Sequence, residues 1–289
     1  MKILLLGSKG QLGQDLQRSL STISSVISLD KKDGNLLHTE NLIENIDAIN
    51  PDLIVNAAAY TAVDRAEDEK DIALETNFKA VKEISKYCFQ KNKILIHFST
   101  DYVYDGRSKN QLSENDKTKP INYYGHTKLL GDLAILNSGC KHLIFRISWV
   151  YSPHGNNFPN TIIKLCSNND SVKIVNDQFG SPTSTKFIAD TVSECINRKI
   201  NKGVGNFGLY NLTPNGTISW YDFALEIIKH EEIKGKSFLC PSHKIQPISS
   251  KEFPTKALRP TYSKLSTNKI QKDYSIDIHD WSIYYKKLF

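Results

Sequence analysis

With 289 residues and no Pro/Gly/Ser-rich linker, the chain is long enough for one large domain or for one domain with a smaller lobe, and we expect the second. The net charge of +6 comes from lysines scattered among acidic residues, and this argues against a nucleic-acid-binding stripe. No apolar run reaches the length of a signal peptide or a membrane span, and five scattered cysteines lack zinc or redox spacing, so we expect a soluble cytoplasmic protein with reduced thiols.

Up to about residue 150, short aliphatic runs alternate with longer segments of helical period. The predicted strands are Lys2–Leu6, Ser25–Leu29, Asp52–Asn56, Ile94–Ser99 and His142–Ser148. The predicted helices are Gln11–Leu20, Leu42–Ile49, Lys70–Gln90 and Tyr124–Leu136. This alternation is typical of repeated βαβ units. It predicts an α/β fold in which residues 1–150 form a Rossmann-type doubly wound parallel sheet that binds a dinucleotide.

Beyond residue 150 the pattern is less regular. The elements predicted there are a loop at Ser152–Pro159, a short helix, a strand at Val172–Val175, a turn at Asp177–Thr183, a helix to about Asn197, the run Tyr210–Leu212, a helix at Trp220–Lys229, a loop ending at Pro260 and a final helix near Asp280–Leu288. Late elements of this kind usually cover the carboxyl ends of the strands, where open α/β sheets bind ligands. We therefore expect residues 151–289 to form mainly a smaller substrate-binding lobe, interleaved with the first domain.

Three glycines follow the first predicted strand and open the first predicted helix. Gly7, Gly10 and Gly13 would let the backbone turn tightly, approach a pyrophosphate and pack against the sheet. The free N–H groups and the dipole of a helix N-terminus favour a phosphate at the same place. The spacing differs from the commoner Gly-x-Gly-x-x-Gly, and a plain strand–helix turn is the alternative. The position after a strand and before a helix favours dinucleotide binding.

Asp30 ends the second predicted strand, where a carboxylate binds the adenosine ribose 2′-hydroxyl and disfavours a 2′-phosphate. That position would indicate NADH. Lys31 and Lys32 follow directly and could pair with a 2′-phosphate, so both NADPH and NADH stay open as cofactors. The alternative is that Asp30 caps a loop and both lysines are solvated.

Polar side chains follow the predicted strand Ile94–Ser99, at the edge of the sheet where a substrate carbonyl would meet a nicotinamide. Thr100 can donate a hydrogen bond to the carbonyl oxygen. Tyr124 and Lys128 lie about one helical turn apart, so their side chains share a face. Tyr124 would protonate the carbonyl oxygen, while Lys128 lowers the pKa of the phenol and reaches the nicotinamide ribose. The sequence thus predicts a carbonyl-reducing site with these three catalytic residues.

Other residues imitate parts of this arrangement. Tyr87 and Lys91 have the same spacing, but they end a helix that precedes the polar strand, and we assign them to packing and solvent. Tyr123 is five residues from Lys128 and lies off its helical face. His97 stands within an apolar strand, which favours a core histidine over a catalytic base. No set of His, Cys, Asp and Glu has metal-site spacing, so we expect no catalytic metal.

Several runs of the sequence resemble the extended short-chain dehydrogenase/reductases and, more closely, the dTDP-4-dehydrorhamnose reductase family. They are residues Gly7–Gly13, Asn56–Glu67, Ser99–Gly106, Tyr124–Lys128, Arg146–Tyr151, Asp177–Thr183 and Arg259–Pro260. The runs Ala-Tyr-Thr-Ala-Val-Asp and Ser-Thr-Asp-Tyr-Val-Tyr-Asp-Gly are specific to that family and its near relatives. The likeness therefore covers nearly the whole chain.

The resemblance implies a role for individual residues. Those that would contact the cofactor are Gly10, Gln11 and Leu12 at the pyrophosphate, Asp30 at the adenosine ribose, and Ala59, Tyr60 and Thr61 at the remainder. Those that would hold a 4-keto-6-deoxysugar are Thr100, Asp101 and Trp149, whose indole could stack on the sugar ring, with Arg259 as a partner for the diphosphate or as a loop fastener. The implied reaction is reduction of dTDP-4-dehydro-β-L-rhamnose at C4 by NADPH or NADH, with Thr100, Tyr124 and Lys128 as the catalytic set.

Some residues depart from the family's pattern. Tyr60 stands where a histidine or another residue is often found, which weakens the cofactor contact expected there. Some members of the family use magnesium at an acidic dimer contact. Asp15 could serve in that contact, but Lys186 lies in the region where a further carboxylate is needed. The sequence therefore leaves it open whether the protein forms a homodimer.

Two other functions compete with this interpretation. The first is a sister reductase that acts on another nucleotide-linked 4-keto-6-deoxyhexose with the same catalytic residues. The second is a non-catalytic regulatory subunit related to the β subunit of methionine adenosyltransferase. Such a subunit has no need of a catalytic set, so the intact Thr100, Tyr124 and Lys128 argue against it.

Overall fold

A six-stranded parallel sheet lies at the centre of the structure, a computed structural model that describes all 289 residues. The strands are β1 (Lys2–Leu6), β2 (Ser25–Leu29), β3 (Leu53–Asn56), β4 (Ile94–Thr100), β5 (Lys141–Ile147), β6 (Val150–Tyr151), β7 (Val172–Val175), β8 (Phe179–Gly180), β9 (Thr183–Ser184), β10 (Gly208–Asn211), β11 (Ile218–Ser219), β12 (Ile245–Ile248) and β13 (Tyr262–Ser263). The helices are α1 (Gln11–Ser21), α2 (Thr39–Ile49), α3 (Lys70–Leu74), α4 (Ala80–Gln90), α5 (Tyr123–Leu136), α6 (Phe158–Asn168), α7 (Thr185–Lys202), α8 (Trp220–Ile233), α9 (Asn268–Tyr274) and α10 (Trp281–Leu288).

The central sheet has the order β2-β1-β3-β4-β5-β10, and all neighbouring strands in it are parallel. The strand order reverses at β1 and β3, which is the place where such sheets open a crevice at their carboxyl ends. The Rossmann-type parallel sheet predicted from the sequence is thereby confirmed.

Strand β1 shows why this sheet is buried on both faces. Its side chains alternate in direction, as they must in an extended chain. Ile3 and Leu5 belong to the core that contains residues of α1 and α7, while Leu4 and Leu6 belong to the core that contains residues of α2, α4 and α5. A strand covered by helices on both sides reads as a continuous apolar run. The run at residues 3–6 is such a strand.

The second half of the chain contributes both to the central sheet and its helices and to a separate apolar core. Helix α7 packs against α1, and β10 extends the central sheet beside β5. Helices α6, α8 and α10 form a separate apolar core together with residues of β7 and β12. The short strands β11, β8 and β13 make a small sheet of their own. None of the ten helices combines the length and apolar composition that a membrane crossing needs.

The structure differs from the predicted elements within one helix and in several short elements that were not predicted. The helix predicted at Lys70–Gln90 contains a π-helical turn at Glu75–Lys79 between α3 and α4. Helix α9 was not predicted, and neither were β12 and the two-residue strands β6, β8, β9, β11 and β13. A two-residue strand is too short to show a hydrophobic period, so only its pairing partners reveal it.

Candidate active site

A cleft of about 690 Å³ opens at the carboxyl ends of the central strands. It is bordered by the glycine turn and by the segments that follow β3, β4 and β5. The predicted site residues that line it are Gly7, Gly10, Gln11, Leu12, Asp30, Ala59, Tyr60, Thr61, Thr100, Asp101, Tyr124, Lys128 and Trp149. Gly13 and Arg259 do not line it. Residues from six separate parts of the sequence therefore share one cleft.

The glycine turn has the geometry of an anion site. Gly7 has a φ of +79°, and a Cβ at that position would lie 2.8 Å from the backbone nitrogen of Ala58. A Cβ at Gly13 would lie 2.1 Å from the carbonyl oxygen of Gly7, so only glycine lets α1 pack this closely on the turn. The amide of Gln14 donates to the carbonyl of Gly10 at the start of α1, and the amides before it belong to the free N-terminal set. These free N–H groups fit a pyrophosphate.

The side chain of Gln11 joins the glycine turn to the loop predicted at Ser152–Pro159. Its Oε1 accepts hydrogen bonds from the Ser152 hydroxyl at 3.0 Å and from Asn157 Nδ2 at 2.9 Å. Its Nε2 donates to the carbonyl of Asn156 at 3.2 Å. The side chain thus fastens the late loop beside the turn, which leaves the backbone N–H of Gln11 for a ligand.

Lys9 is a further charged residue of the cleft that was not predicted from the sequence. Its ammonium forms an ion pair with Asp30, and this contact lowers the pKa of the Asp30 carboxyl. The amide of Lys32 also donates to Asp30, at 2.7 Å. The carboxylate that was expected to select NADH therefore has a cation beside it that a 2′-phosphate could also use.

Asn77 holds the segment after β3, and it too was missed from the sequence. It lies in the π-helical turn with 1% of its surface exposed. Its Oδ1 accepts from the amide of Tyr60 at 2.9 Å, and its Nδ2 donates to the carbonyl of Tyr60 at 3.0 Å and to Thr127 Oγ1 at 3.1 Å. The Tyr60 hydroxyl donates to Glu69 at 2.8 Å. Asn77 thus connects the backbone of Ala59–Thr61 to α5. The one signal for this role in the sequence was an asparagine inside a predicted helix.

Tyr124 reaches the end of β4 because α5 packs very closely there. A Cβ at Gly125 would lie 2.2 Å from the carbonyl oxygen of Tyr102, just after β4. The side chain of Asn122 caps α5 by accepting from the amide of Gly125 at 2.7 Å. The Tyr124 ring then meets the Tyr102 ring edge to face, with centroids 5.8 Å apart. These local contacts bring the phenol next to Thr100.

Thr100 and Asp101 form a polar pair at the same edge. The Thr100 hydroxyl donates to Asp101 Oδ1 at 3.1 Å and accepts from the amide of Tyr102 at 3.2 Å. Burial raises the pKa of the Asp101 carboxyl to about 6, although hydrogen bonds from Ser263 and Thr100 oppose this rise. Both side chains therefore border the cleft while they are hydrogen-bonded to each other.

Lys128 is almost completely buried below this edge, with 2% of its surface exposed. Strand β4 continues past its neighbour β3, which ends at Asn56 opposite His97. Beyond that residue β4 has no β3 partner, and there the Lys128 ammonium donates to the carbonyl of Phe98 at 2.6 Å. The ammonium also lies 3.3 Å from His97 Nε2. Burial lowers the pKa of Lys128 to about 8. His97 is buried as expected, but it contacts the predicted catalytic lysine.

The pKa of Tyr124 corrects one expectation. Burial raises it, a hydrogen bond with Thr100 lowers it in part, and the charges of Asp101 and Asp132 raise it further. The net shift is therefore upward and not downward as expected, because desolvation of the phenol outweighs any lowering by Lys128, whose ammonium is bonded to the β4 backbone. A phenol with a raised pKa is protonated at neutral pH, which is the state that a proton donor requires.

Two side chains that were predicted to contact the substrate make contacts with other residues of the chain instead. The Arg259 guanidinium binds both carboxylate oxygens of Asp64, at 2.6 and 3.2 Å, so it fastens the late loop to the segment after β3. Trp149 lines the cleft, but its indole lies parallel to that of Trp220 with ring centroids 3.4 Å apart. The indole face on that side is thus covered.

The acidic position considered for magnesium is occupied by contacts within the chain. Asp15 accepts from the Thr185 hydroxyl at 2.5 Å and from Arg18 at 3.0 Å. Lys186 pairs with Asp190 at 2.8 Å. No group of three or more His, Cys, Asp and Glu side chains in the structure could hold a metal ion.

A Rossmann sheet, a glycine turn before its first helix and a Tyr-x-x-x-Lys pair at its carboxyl edge define an extended short-chain dehydrogenase/reductase. The family model described as the RmlD substrate binding domain matches residues 1–289. The chain is 38% identical to the dTDP-4-dehydrorhamnose reductase of Escherichia coli (strain K12), over 100% of this chain and 97% of that protein. It is 37% identical to the enzyme of that name from Burkholderia thailandensis, over 97% and 95% of the two chains.

A solved structure is also similar over nearly its whole length. The crystal structure of dTDP-4-dehydrorhamnose reductase from Bacillus anthracis, in complex with NADP, superposes with a TM-score of 0.91 at 28% identity. The match covers 100% of this chain and 98% of that one. The chain therefore belongs to the dTDP-4-dehydrorhamnose reductase family, which confirms the resemblance seen in the sequence.

Proposed function

We propose that this protein reduces the C4 ketone of dTDP-4-dehydro-β-L-rhamnose to dTDP-L-rhamnose, with NADPH or NADH as cofactor and Tyr124 as proton donor. The observation that carries the proposal is the meeting of Thr100, Tyr124 and Lys128 in one cleft with the glycine turn. The names of the full-length relatives support the choice of substrate.

The nicotinamide, when bound, supplies the hydride to the carbonyl carbon. As negative charge develops on the carbonyl oxygen, the Thr100 hydroxyl would turn from Asp101 to donate a hydrogen bond to it. Tyr124 would transfer its phenolic proton to the same oxygen, which forms the product hydroxyl and leaves a phenolate. Lys128, with a pKa of about 8, is mainly an ammonium at neutral pH and would stabilise that phenolate.

The two ligands would divide the cleft between them. We propose that residues 1–150 bind the dinucleotide, with the free amides after Gly10 at the pyrophosphate and Asp30 at the adenosine ribose. The pairing of Asp30 with Lys9 suits NADH and NADPH alike. Residues 151–289 would mainly hold the dTDP-sugar, with Trp149 among its contacts.

The setting of the reaction is part of the same proposal. All five cysteines are unpaired and buried, which fits a reducing compartment, and we propose the cytoplasm. We also propose that the protein acts on its nucleotide sugar without a nucleic-acid partner. Whether it works as a homodimer is decided by light scattering of the purified protein with and without Mg²⁺.

The test is a reduction assay in which the substrate is made in place. The purified protein is mixed with dTDP-glucose, the upstream dehydratase and epimerase, and NADPH or NADH. We expect loss of absorbance from the reduced cofactor and one product that matches dTDP-L-rhamnose by NMR. Tyr87→Phe serves as a matched control, because Tyr87 has the same spacing to a lysine but lies away from the cleft, and it should retain activity.

Two results would contradict the proposal. A product with another configuration would assign the protein to a sister reductase of a different 4-keto-6-deoxyhexose. Absence of cofactor consumption, with folded protein and verified substrate, would favour the non-catalytic regulatory alternative.

A further inference from the structure

Two of the three tryptophans in the chain form a close parallel stack at one end of the cleft. The indole planes of Trp149 and Trp220 are inclined by only 4°, and their centroids are 3.4 Å apart. Both residues line the same cleft as Thr100 and Tyr124. Trp220 lies at the first position of α8, so a residue from the late part of the chain covers a residue that follows β5. Trp220 was not predicted as a site residue from the sequence.

The other face of the Trp149 indole is covered by backbone. A Cβ built on Gly180 would lie 2.3, 2.5 and 2.8 Å from the Cε2, Nε1 and Cδ2 atoms of that indole, which places it over the ring. Gly180 belongs to β8, which pairs with β11 on one side and with β13 on the other. This face cannot open without breaking a sheet. A ring that stacks on Trp149 must therefore take the place of Trp220.

The backbone of Trp149 is fixed in an uncommon conformation. Its φ is +46°, a left-handed value that a large side chain rarely adopts. Its carbonyl accepts from the amide of Thr183 at 3.1 Å. Such strain persists where the surroundings hold the residue in place, and it is concentrated at ligand-binding sites. Trp149 is thus the stationary member of the stack.

Trp220 starts α8, and its side chain is only partly buried. Ser219 caps α8 by accepting from the amide of Asp222 at 3.0 Å. The ring contacts of the Trp220 indole are with Trp149 and with Phe158, whose centroid lies 4.4 Å away at a tilt of 45°. An aromatic pair of this kind contributes only about 0.5–1.5 kcal/mol beyond the area that it buries. Trp220 is therefore the movable member.

We propose that Trp220 guards the sugar end of the cleft: it covers Trp149 in the free protein and gives way to the hexose ring of a nucleotide-linked 6-deoxysugar, which then stacks on Trp149. The identity of the sugar nucleotide rests on the proposed function. The exchange accounts together for the strained backbone of Trp149, the glycine behind its indole and the parallel stack. The rings of dTDP alone are those of thymine and deoxyribose, so dTDP has no hexose to place on Trp149 and should leave the stack closed.

A spectroscopic experiment tests the exchange directly. In the variant Trp281→Phe, Trp149 and Trp220 are the two remaining indoles, and their near-ultraviolet circular dichroism and fluorescence report on the stack. We expect saturating dTDP-L-rhamnose to change both signals and dTDP alone to leave them unchanged. Unchanged signals at saturation, with binding verified by calorimetry, would overturn the proposal. An equal change with dTDP would also overturn it.

Binding measurements supply the second arm. In Trp220→Ala the stack need not be broken, so dTDP-L-rhamnose should bind about three- to tenfold more tightly, while the affinity for dTDP stays the same. Trp220→Leu, which keeps more apolar volume, should change the affinity in the same direction and serves if the alanine variant does not fold. Unchanged or weaker binding of dTDP-L-rhamnose would show that Trp220 is a fixed wall and overturn the proposal.

The reduction assay separates this inference from the proposed function. If the protein binds dTDP-L-rhamnose and opens the stack but does not reduce the ketone, the proposed reaction fails and the inference stands. If it reduces the ketone while the stack stays closed, the inference fails alone.

Discussion

Replacing Lys128 with methionine should remove a pH dependence from the stability of the protein. The ammonium is buried, and burial lowers its pKa from 10.5 to about 8. Between these two pH values the unfolded chain binds a proton that the folded chain has released. Stability therefore rises with pH across this window, because the unfolded state binds more protons there.

The size of the effect follows from the two pKa values. Each pH unit between them corresponds to about 1.4 kcal/mol, so the buried charge costs about 3 kcal/mol at pH 7 and about 1 kcal/mol at pH 10. Lys128→Met removes this cost but also leaves the Phe98 carbonyl without its hydrogen bond, which costs about 1–3 kcal/mol at any pH. Relative to the wild type, the variant should lose about 2.5 kcal/mol between pH 7 and pH 10.

Urea unfolding followed by circular dichroism at pH 7, 8.5 and 10 measures this difference. Lys91→Met is the matched control, because the Lys91 side chain is 50% exposed and pairs with Asp47 at the surface. Its free energy of unfolding relative to the wild type should stay nearly constant. The reasoning would be refuted if the difference for Lys128→Met changed by less than about 0.5 kcal/mol over the same range.

Three further substitutions test the cleft. Tyr124→Phe should lower kcat by about 10²- to 10⁴-fold while the Kd for NADPH, measured by calorimetry, stays nearly unchanged, and retained turnover would remove Tyr124 from its role. Gly13→Ala places a Cβ 2.1 Å from the Gly7 carbonyl oxygen, so α1 must shift. Calorimetry should then show that NADPH binding is weakened by about tenfold or more. An unchanged Kd would contradict the anion-site geometry. Asp30→Asn removes the carboxylate that pairs with Lys9. The ratio of kcat/KM for NADPH to kcat/KM for NADH should therefore rise by about tenfold. A fall in that ratio would refute the role given to the pair.

The elements that the sequence predicted well are those whose signal is local. Strand β1 is an unbroken apolar run because helices cover both of its faces, and this composition is visible without the fold. The glycines after it were recognisable because a tight turn before a helix requires them. Tyr124 and Lys128 were identified as a pair because the helical repeat puts residues four apart on one face.

The residues that the sequence did not reveal act through contacts between distant segments. Asn77 binds the Tyr60 backbone across the end of β3, and Lys9 meets Asp30 only because β1 and β2 are neighbours in the sheet. The pKa of Tyr124 was predicted in the wrong direction, since spacing reveals that a lysine is near but not how deeply a phenol is buried.

The sequence by itself thus determined the class of fold and the family, and it predicted a catalytic trio, because periodicity and short motifs are properties of neighbouring residues. Only the tertiary structure decided the state of those groups. It is long-range packing that desolvates Tyr124 and Lys128, and it is the meeting of α8 with the end of β5 that lays Trp220 on Trp149. Burial and the contacts between remote segments are set by the whole chain, and they decide how the predicted residues can act.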